Sequence, residues 1–188
     1  MKIEITNGSL LNNQGEWQAF NSIQITDGKI SQILLDSAIS NKAFSADQHI
    51  DAQDCYVFPG LIDLNVSLRE PGYPVKGSIS SETAAAAAGG VTTLCCTPET
   101  DPINDSEAVT KLISKLAQTS NKCQVLPLGA FTQGLKGEQL SEYASLKQAG
   151  CIALSNAYHP IKNPAITKRC FEYAQTHNLS VFINPIEA

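Results

Sequence analysis

The chain is poor in charge and in histidine, and it has no long apolar run. Charged residues make up 16% of its 188 residues, and Lys and Arg together number 13 against 18 Asp and Glu. The net charge of -5 supplies no basic field to draw nucleic acid or an anionic membrane surface. No apolar stretch approaches the roughly 20 residues that span a bilayer. Met1-Lys-Ile-Glu-Ile5 alternates like a strand and shows no signal-peptide core, so a cytoplasmic protein is expected. There is no C-x-x-C pair among the six cysteines. Most of them sit in apolar segments such as Val91-Thr-Thr-Leu-Cys-Cys96 and Cys151-Ile-Ala-Leu154, which predicts buried free thiols and not disulfides or a zinc knuckle.

What is present is a change of pattern near Tyr56. Residues 1–56 read as a small β-rich domain. Ser22-Ile-Gln-Ile-Thr26 and Lys29-Ile-Ser-Gln-Ile-Leu-Leu35 flank Asp27-Gly28, a strong two-residue hairpin signal, and the polar stretch from Asp36 to Gln48 reads as a loop. Residues 57–188 read as α/β. Apolar strand candidates at Gly60–Val66, Val91–Cys96, Cys123–Leu128, Cys151–Ser155 and Ser180–Asn184 recur about every 30 residues, the size of a βαβ unit. Helix candidates lie between them at Ser81–Ala88, Ser106–Thr119, Glu138–Ala149 and Pro164–His177, the second capped by Asn104 or Asp105. This repeat builds either an open doubly wound sheet or the first part of a (β/α) barrel, and periodicity does not choose between them.

Short motifs in a fixed order carry a resemblance over about 130 residues. Phe58-Pro-Gly-Leu-Ile-Asp-Leu-Asn-Val-Ser-Leu-Arg-Glu-Pro-Gly72 resembles the first barrel strand of dihydroorotases, of the amidohydrolase superfamily, which read P-G-x-x-D-x-H-x-H-L-R-E-P-G. Glu82 to Thr93 is similar to the family's first helix and second strand, and Cys96-Thr-Pro-Glu-Thr100 stands where the family has C-x-P-N-T. Gly129-Ala-Phe-Thr-Gln-Gly134 with Gly137 resembles the loop after its third strand. Ala153-Leu-Ser-Asn-Ala-Tyr-His-Pro160 replaces a segment close to F-S-D-D-G-x-P, and Val181 to Ala188 replaces V-x-x-x-H-x-E-D. The resemblance implies a partial TIM-like barrel of about five parallel strands with helices, with about half the barrel outside this chain. It also implies that the β-rich segment is the N-terminal part of a composite small domain.

The family reaction is the reversible closure of N-carbamoyl-aspartate to dihydroorotate on zinc. Residues two apart on a strand share a face, so H-x-H places two imidazoles on one metal. Here those positions hold Asn65 and Ser67, neutral hard donors that do not replace imidazole on zinc. The family aspartates become Asn156 and Ala157, and the later family histidine falls at Pro185, or at Asn184 in a shifted alignment. Every recognisable ligand position is changed, so no catalytic residue, no metal and no cofactor is expected.

On the substrate side Arg69 matches the family arginine that grips a carboxylate, while Glu99 replaces an asparagine and would repel one. Arg69 is expected to pair with Glu99 or Glu70 in a structural ion pair. Of the three histidines, His49 reads as a solvated residue of the small domain and His177 as the end of a helix, where it complements the negative end of the dipole. His159, in the loop after the fourth strand, is the candidate for residual function, and Ser67 has no adjacent base that would make it a nucleophile.

These departures point to a non-catalytic dihydroorotase-like protein. The resemblance gives that a concrete form: a scaffold or regulatory partner of aspartate transcarbamoylase in pyrimidine synthesis, with self-association as the other partner. The competing readings are a cyclic-amide hydrolase with a remodelled site built on His159, Glu187 and Arg69, and a binding protein that keeps a pocket for an anion at Arg69.

Overall fold

The computed structural model describes residues 1–35, 44–120 and 122–184, and the chain divides between Pro59 and Gly60 into two compact units. Most of the Asp36–Gln48 segment, together with Pro185 and Glu187, lies outside the described residues.

The first unit holds two sheets. Strands β1 (Lys2–Thr6), β4 (Ser22–Thr26), β5 (Lys29–Leu34) and β6 (Gln48–Asp51) form one, in the order β5-β4-β1-β6. The β4–β5 hairpin turns on Asp27 (φ 50°) and Gly28 (φ 75°), the pair of left-handed residues that a tight hairpin of this twist needs. Strands β2 (Ser9–Leu11), β3 (Trp17–Ala19) and β7 (Tyr56–Val57) form the other, with Trp17 against Tyr56 at 4.4 Å between centroids. His49 sits on β6 with an exposed side chain and its Nδ1 3.2 Å from Glu4 Oε2.

The second unit is a half-barrel. Its parallel strands β8 (Leu61–Val66), β9 (Val91–Cys96), β10 (Gln124–Ala130), β11 (Ala153–Ser155) and β12 (Ser180–Phe182) run in sequence order, β8 and β12 being the outer two. This ordering decides against a doubly wound sheet, in which strand order reverses at a switch point. Helices α1 (Ile79–Ala88), α2 (Glu107–Ser120), α3 (Tyr143–Ala149) and α4 (Pro164–Thr176) fill the connections.

Alternation along the strands separates two faces. Leu94, Cys96 and Leu68 pack against Ile79 of α1 and Val109, Ile113 and Ala117 of α2. Leu154 packs with Tyr143 and Leu146 of α3 and Cys170 and Ala174 of α4. The opposite, concave face is lined by Cys95, Leu128 and Ala153, with Phe182 beside them. Four of the six cysteines are buried and all are free, Cys55 being exposed and Cys123 half-buried.

Two local expectations need correction. Helix α3 starts at Tyr143, not Glu138, because Leu140 is bridged to Thr132 and the Gln133 amide is bonded to Gln139 O, which holds residues 138–142 in a return loop. Neither Asn104 nor Asp105 is free to cap α2. Asn104 is fully buried, donates to Leu128 O at 2.9 Å and accepts from Thr110 Oγ1 at 2.7 Å, pinning the helix to the third barrel strand. Asp105 instead accepts the Gly134 amide at 2.9 Å.

Candidate functional site

Barrel chemistry gathers at the C-terminal ends of the strands, and Asn65, Ser67, Glu99 and Asn156 lie in or just after the C-terminal ends of β8, β9 and β11. Asp63, Asn65 and Ser67 share the concave face by strand alternation, since Val66 and Leu68 pack on the helix side. Each polar side chain beyond Asp63 finds a protein partner. Asn65 Nδ2 donates to the Tyr158 hydroxyl at 3.2 Å, and Ser67 Oγ lies 3.3 Å from Thr97 Oγ1 on the neighbouring chain segment. Asp63 Oδ1 accepts the Asn65 amide at 3.1 Å. Cys95 faces the same side, and burial together with the Asp63 charge raises its thiol pKa.

Asn156 is as enclosed as Cys95, at 1% exposure. Its Oδ1 accepts from Thr132 Oγ1 at 2.7 Å and its Nδ2 donates to His159 O at 2.8 Å, while Thr132 Oγ1 accepts the Gly137 amide at 2.9 Å. The amide therefore knits the loops after β10 and β11, a job that needs one donor and one acceptor on the same group. Returning it to the family carboxylate would set an oxygen against the His159 carbonyl. Asn156→Asp is expected to cost about 2–4 kcal/mol at pH 7. The loss should shrink as the pH falls, because the protonated acid can donate where the carboxylate cannot. Urea denaturation between pH 4 and 8 measures this; a variant as stable as the parent at neutral pH removes the argument.

The ion pair expected of Arg69 is not formed. Glu99 Oε1 lies 3.3 Å from His159 Nε2, and Glu70 Oε2 accepts the Ile79 amide at 2.7 Å at the start of α1. Arg69 has a left-handed backbone (φ 61°), an exposed side chain, and an Nη1 that reaches only Lys76 O at 3.4 Å. His177 closes α4 as expected, its ring edge-on to Tyr173 and its carbonyl accepting from Lys147 Nζ at 2.6 Å.

A cavity of about 340 Å³ opens on the concave face, lined by Asn65, Ser155, Ala157, Tyr158, Phe182 and Asn184 among others. Tyr158 is the participant that sequence reading missed. It stands where the resembled family has glycine, and no periodicity marks a loop residue that reaches a strand 93 positions away. Among the described residues no three His, Cys, Asp or Glu side chains converge as a metal-binding group. An amide, a phenol and two hydroxyls do not fit zinc, which takes imidazole, thiolate or carboxylate.

The pattern described as Dihydro-orotase-like matches residues 55–181. The chain belongs to the dihydroorotase-like family. It is 41% identical over 181 residues to a dihydroorotase of Syntrophotalea carbinolica, covering 96% of this chain and 41% of that protein. Identity is also 41% over 181 residues to a dihydroorotase-like protein of Pseudomonas aeruginosa, over 96% of this chain and 42% of the relative. The chain thus spans about two fifths of these dihydroorotase-like relatives. In fold it is similar to the L-hydantoinase of Arthrobacter aurescens, with a TM-score of 0.79 at 20% identity over 97% of this chain and 40% of that one. A solved dihydroorotase gives 0.66 at 15% identity, over 99% of this chain and 51% of that one. At those identities the solved structures establish the barrel fold alone.

Proposed function

We propose that this chain is part of a non-catalytic dihydroorotase-like protein of pyrimidine biosynthesis, acting as a scaffold or regulatory partner of aspartate transcarbamoylase. The observation that carries the reading is the state of the family's metal positions. Asn65 is engaged by Tyr158, Ser67 lies against Thr97, and Asn156 is consumed in holding two loops together. These contacts put neutral hydrogen-bonding groups where imidazole and carboxylate would have to converge on zinc. The half-barrel around them is well packed, with Leu68, Leu128, Leu146 and Leu154 all fully buried. A fold kept in order around a site with the wrong donors supports a structural use.

The second reading, a metal-dependent cyclic-amide hydrolase with a remodelled site, draws on one contact. The His159–Glu99 pair is an imidazole oriented by a carboxylate beside the cavity, an arrangement that general acid–base chemistry uses.

One preparation separates the two. The full protein, purified without chelator, should carry zinc well below one equivalent by elemental analysis and open dihydroorotate no faster than background. It should also co-elute with aspartate transcarbamoylase on size exclusion. Stoichiometric zinc together with turnover would transfer the case to the hydrolase.

A further inference from the structure

The loop that follows β11 does more than connect it to α4. Asn156, at its base, is buried and bonded on both sides of its amide. Ala157 then takes a left-handed backbone (φ 49°), with its amide held by Ser155 Oγ at 3.0 Å, and this turns the chain out over the concave face. The tip side chains, Tyr158 and His159, are about half exposed, and besides the Asn156 bonds to the His159 backbone they are fastened at two points. One is Asn65 Nδ2 to the Tyr158 hydroxyl at 3.2 Å, and the other is His159 Nε2 to Glu99 Oε1 at 3.3 Å. The far end is backed by Gly137 (φ 73°), where an added Cβ would sit 3.2 Å from Pro160 O.

We propose that residues 157–160 form a strap tied shut across the mouth of the concave cavity, and that Asn65 and Glu99 serve as its two anchors. The geometry makes the base and the tip unequal. Thr132 holds the buried Asn156 Oδ1 at the base, whereas the tip is held by two exposed links, each individually weak, and by the Asn156 bonds to His159. The strap therefore opens locally, hinging after Asn156 and giving up the Asn156 bonds to His159 along with the two side-chain links, without unfolding the barrel. Ala157 and Tyr158 both line the cavity, so the open and closed states differ in what can enter it. Two positions that the family devotes to metal and substrate hold a polypeptide cover in this chain. The inference concerns the same cavity as the proposed function but does not depend on it, because its test reads amide exchange and not turnover.

The His159 amide, which donates to Asn156 O at 2.9 Å, is the natural reporter, and the Leu154 amide in the β11 ladder is its control. Native-state hydrogen exchange on the full protein should show His159 opening with almost no dependence on low urea, while Leu154 follows global unfolding. Asn65→Ala and Glu99→Ala should each speed His159 exchange by roughly threefold to tenfold, and together by about the product, with Leu154 unchanged. An unaltered His159 rate in the double variant would overturn the proposal, and so would equal acceleration at Leu154. If the variants fail to fold, the urea dependence of the parent protein decides alone: equal slopes at the two amides mean that there is no independent strap.

Discussion

Tyr143→Ala should be the most damaging single substitution in the half-barrel, costing about 3–5 kcal/mol. The ring is fully buried, stacked 5.9 Å from Phe131 and 4.8 Å from Tyr173, and its hydroxyl donates to Phe131 O at 2.7 Å. Phe131 meets Phe171 edge-on at 5.4 Å, so one side chain on the first turn of α3 joins β10's exit to α4. Truncation removes a large apolar volume, two aromatic contacts and the shortest hydrogen bond to a buried carbonyl at once. Tyr143→Phe isolates the last of these and should cost about 1–2 kcal/mol. Urea midpoints for the two variants separate cavity from hydrogen bond. A loss below about 2 kcal/mol for the alanine would mean that α3 and α4 close the gap by shifting together.

The second large effect is alkaline. Burial pushes the Cys96 thiol up to about 12 from its ordinary value of 9, and it raises Cys95, Cys151 and Cys170 as well. A thiol that ionises near pH 9 in the unfolded chain but only near pH 12 in the folded one holds its proton longer when folded. Its contribution to stability is therefore complete below pH 9 and drains away as the pH climbs towards 12. For Cys96 alone this amounts to as much as about 4 kcal/mol, and the other three thiols act in the same direction. Denaturation midpoints should hold steady through neutral pH and fall steeply above 9, with Cys96→Ala giving a lower plateau but a shallower fall. A curve equally steep in that variant would assign the alkaline loss to other groups.

Local patterns were enough for the strand–helix repeat, while the barrel was implied by the motif resemblance and is decided by the sequential strand order. Apolar strands such as Val91–Cys96 and Gln124–Ala130 lie between helices, and glycines stop α1 and α3. The hairpin at Asp27-Gly28 was equally legible, since its turn geometry depends on two adjacent residues. Residues 138–142 misled because Leu140 continues a helical spacing while a long-range bridge to Thr132 takes it out of the helix. Asn104 looked like a cap for the same reason: its position fits, and only the buried Leu128 carbonyl shows what it serves.

At the site, the identities of Asn65, Ser67 and Asn156 were readable, but their partners were not. Tyr158 and Thr97 come from other strands and loops, and the choice of Glu99 for His159 over Arg69 depends on a turn at Arg69 that residue type does not announce.

The two outer strands of the half-barrel bear on handling. Leu61, Ile62 and Leu64 on β8 are each about half exposed or more, and β8 and β12 each have one strand neighbour among the described residues. Peptide groups left in a row beside apolar side chains invite pairing with whatever strand arrives first. Solutions of this chain by itself should therefore have a concentration ceiling, above which molecules stick edge to edge, and dilution should be the simplest way to keep them apart.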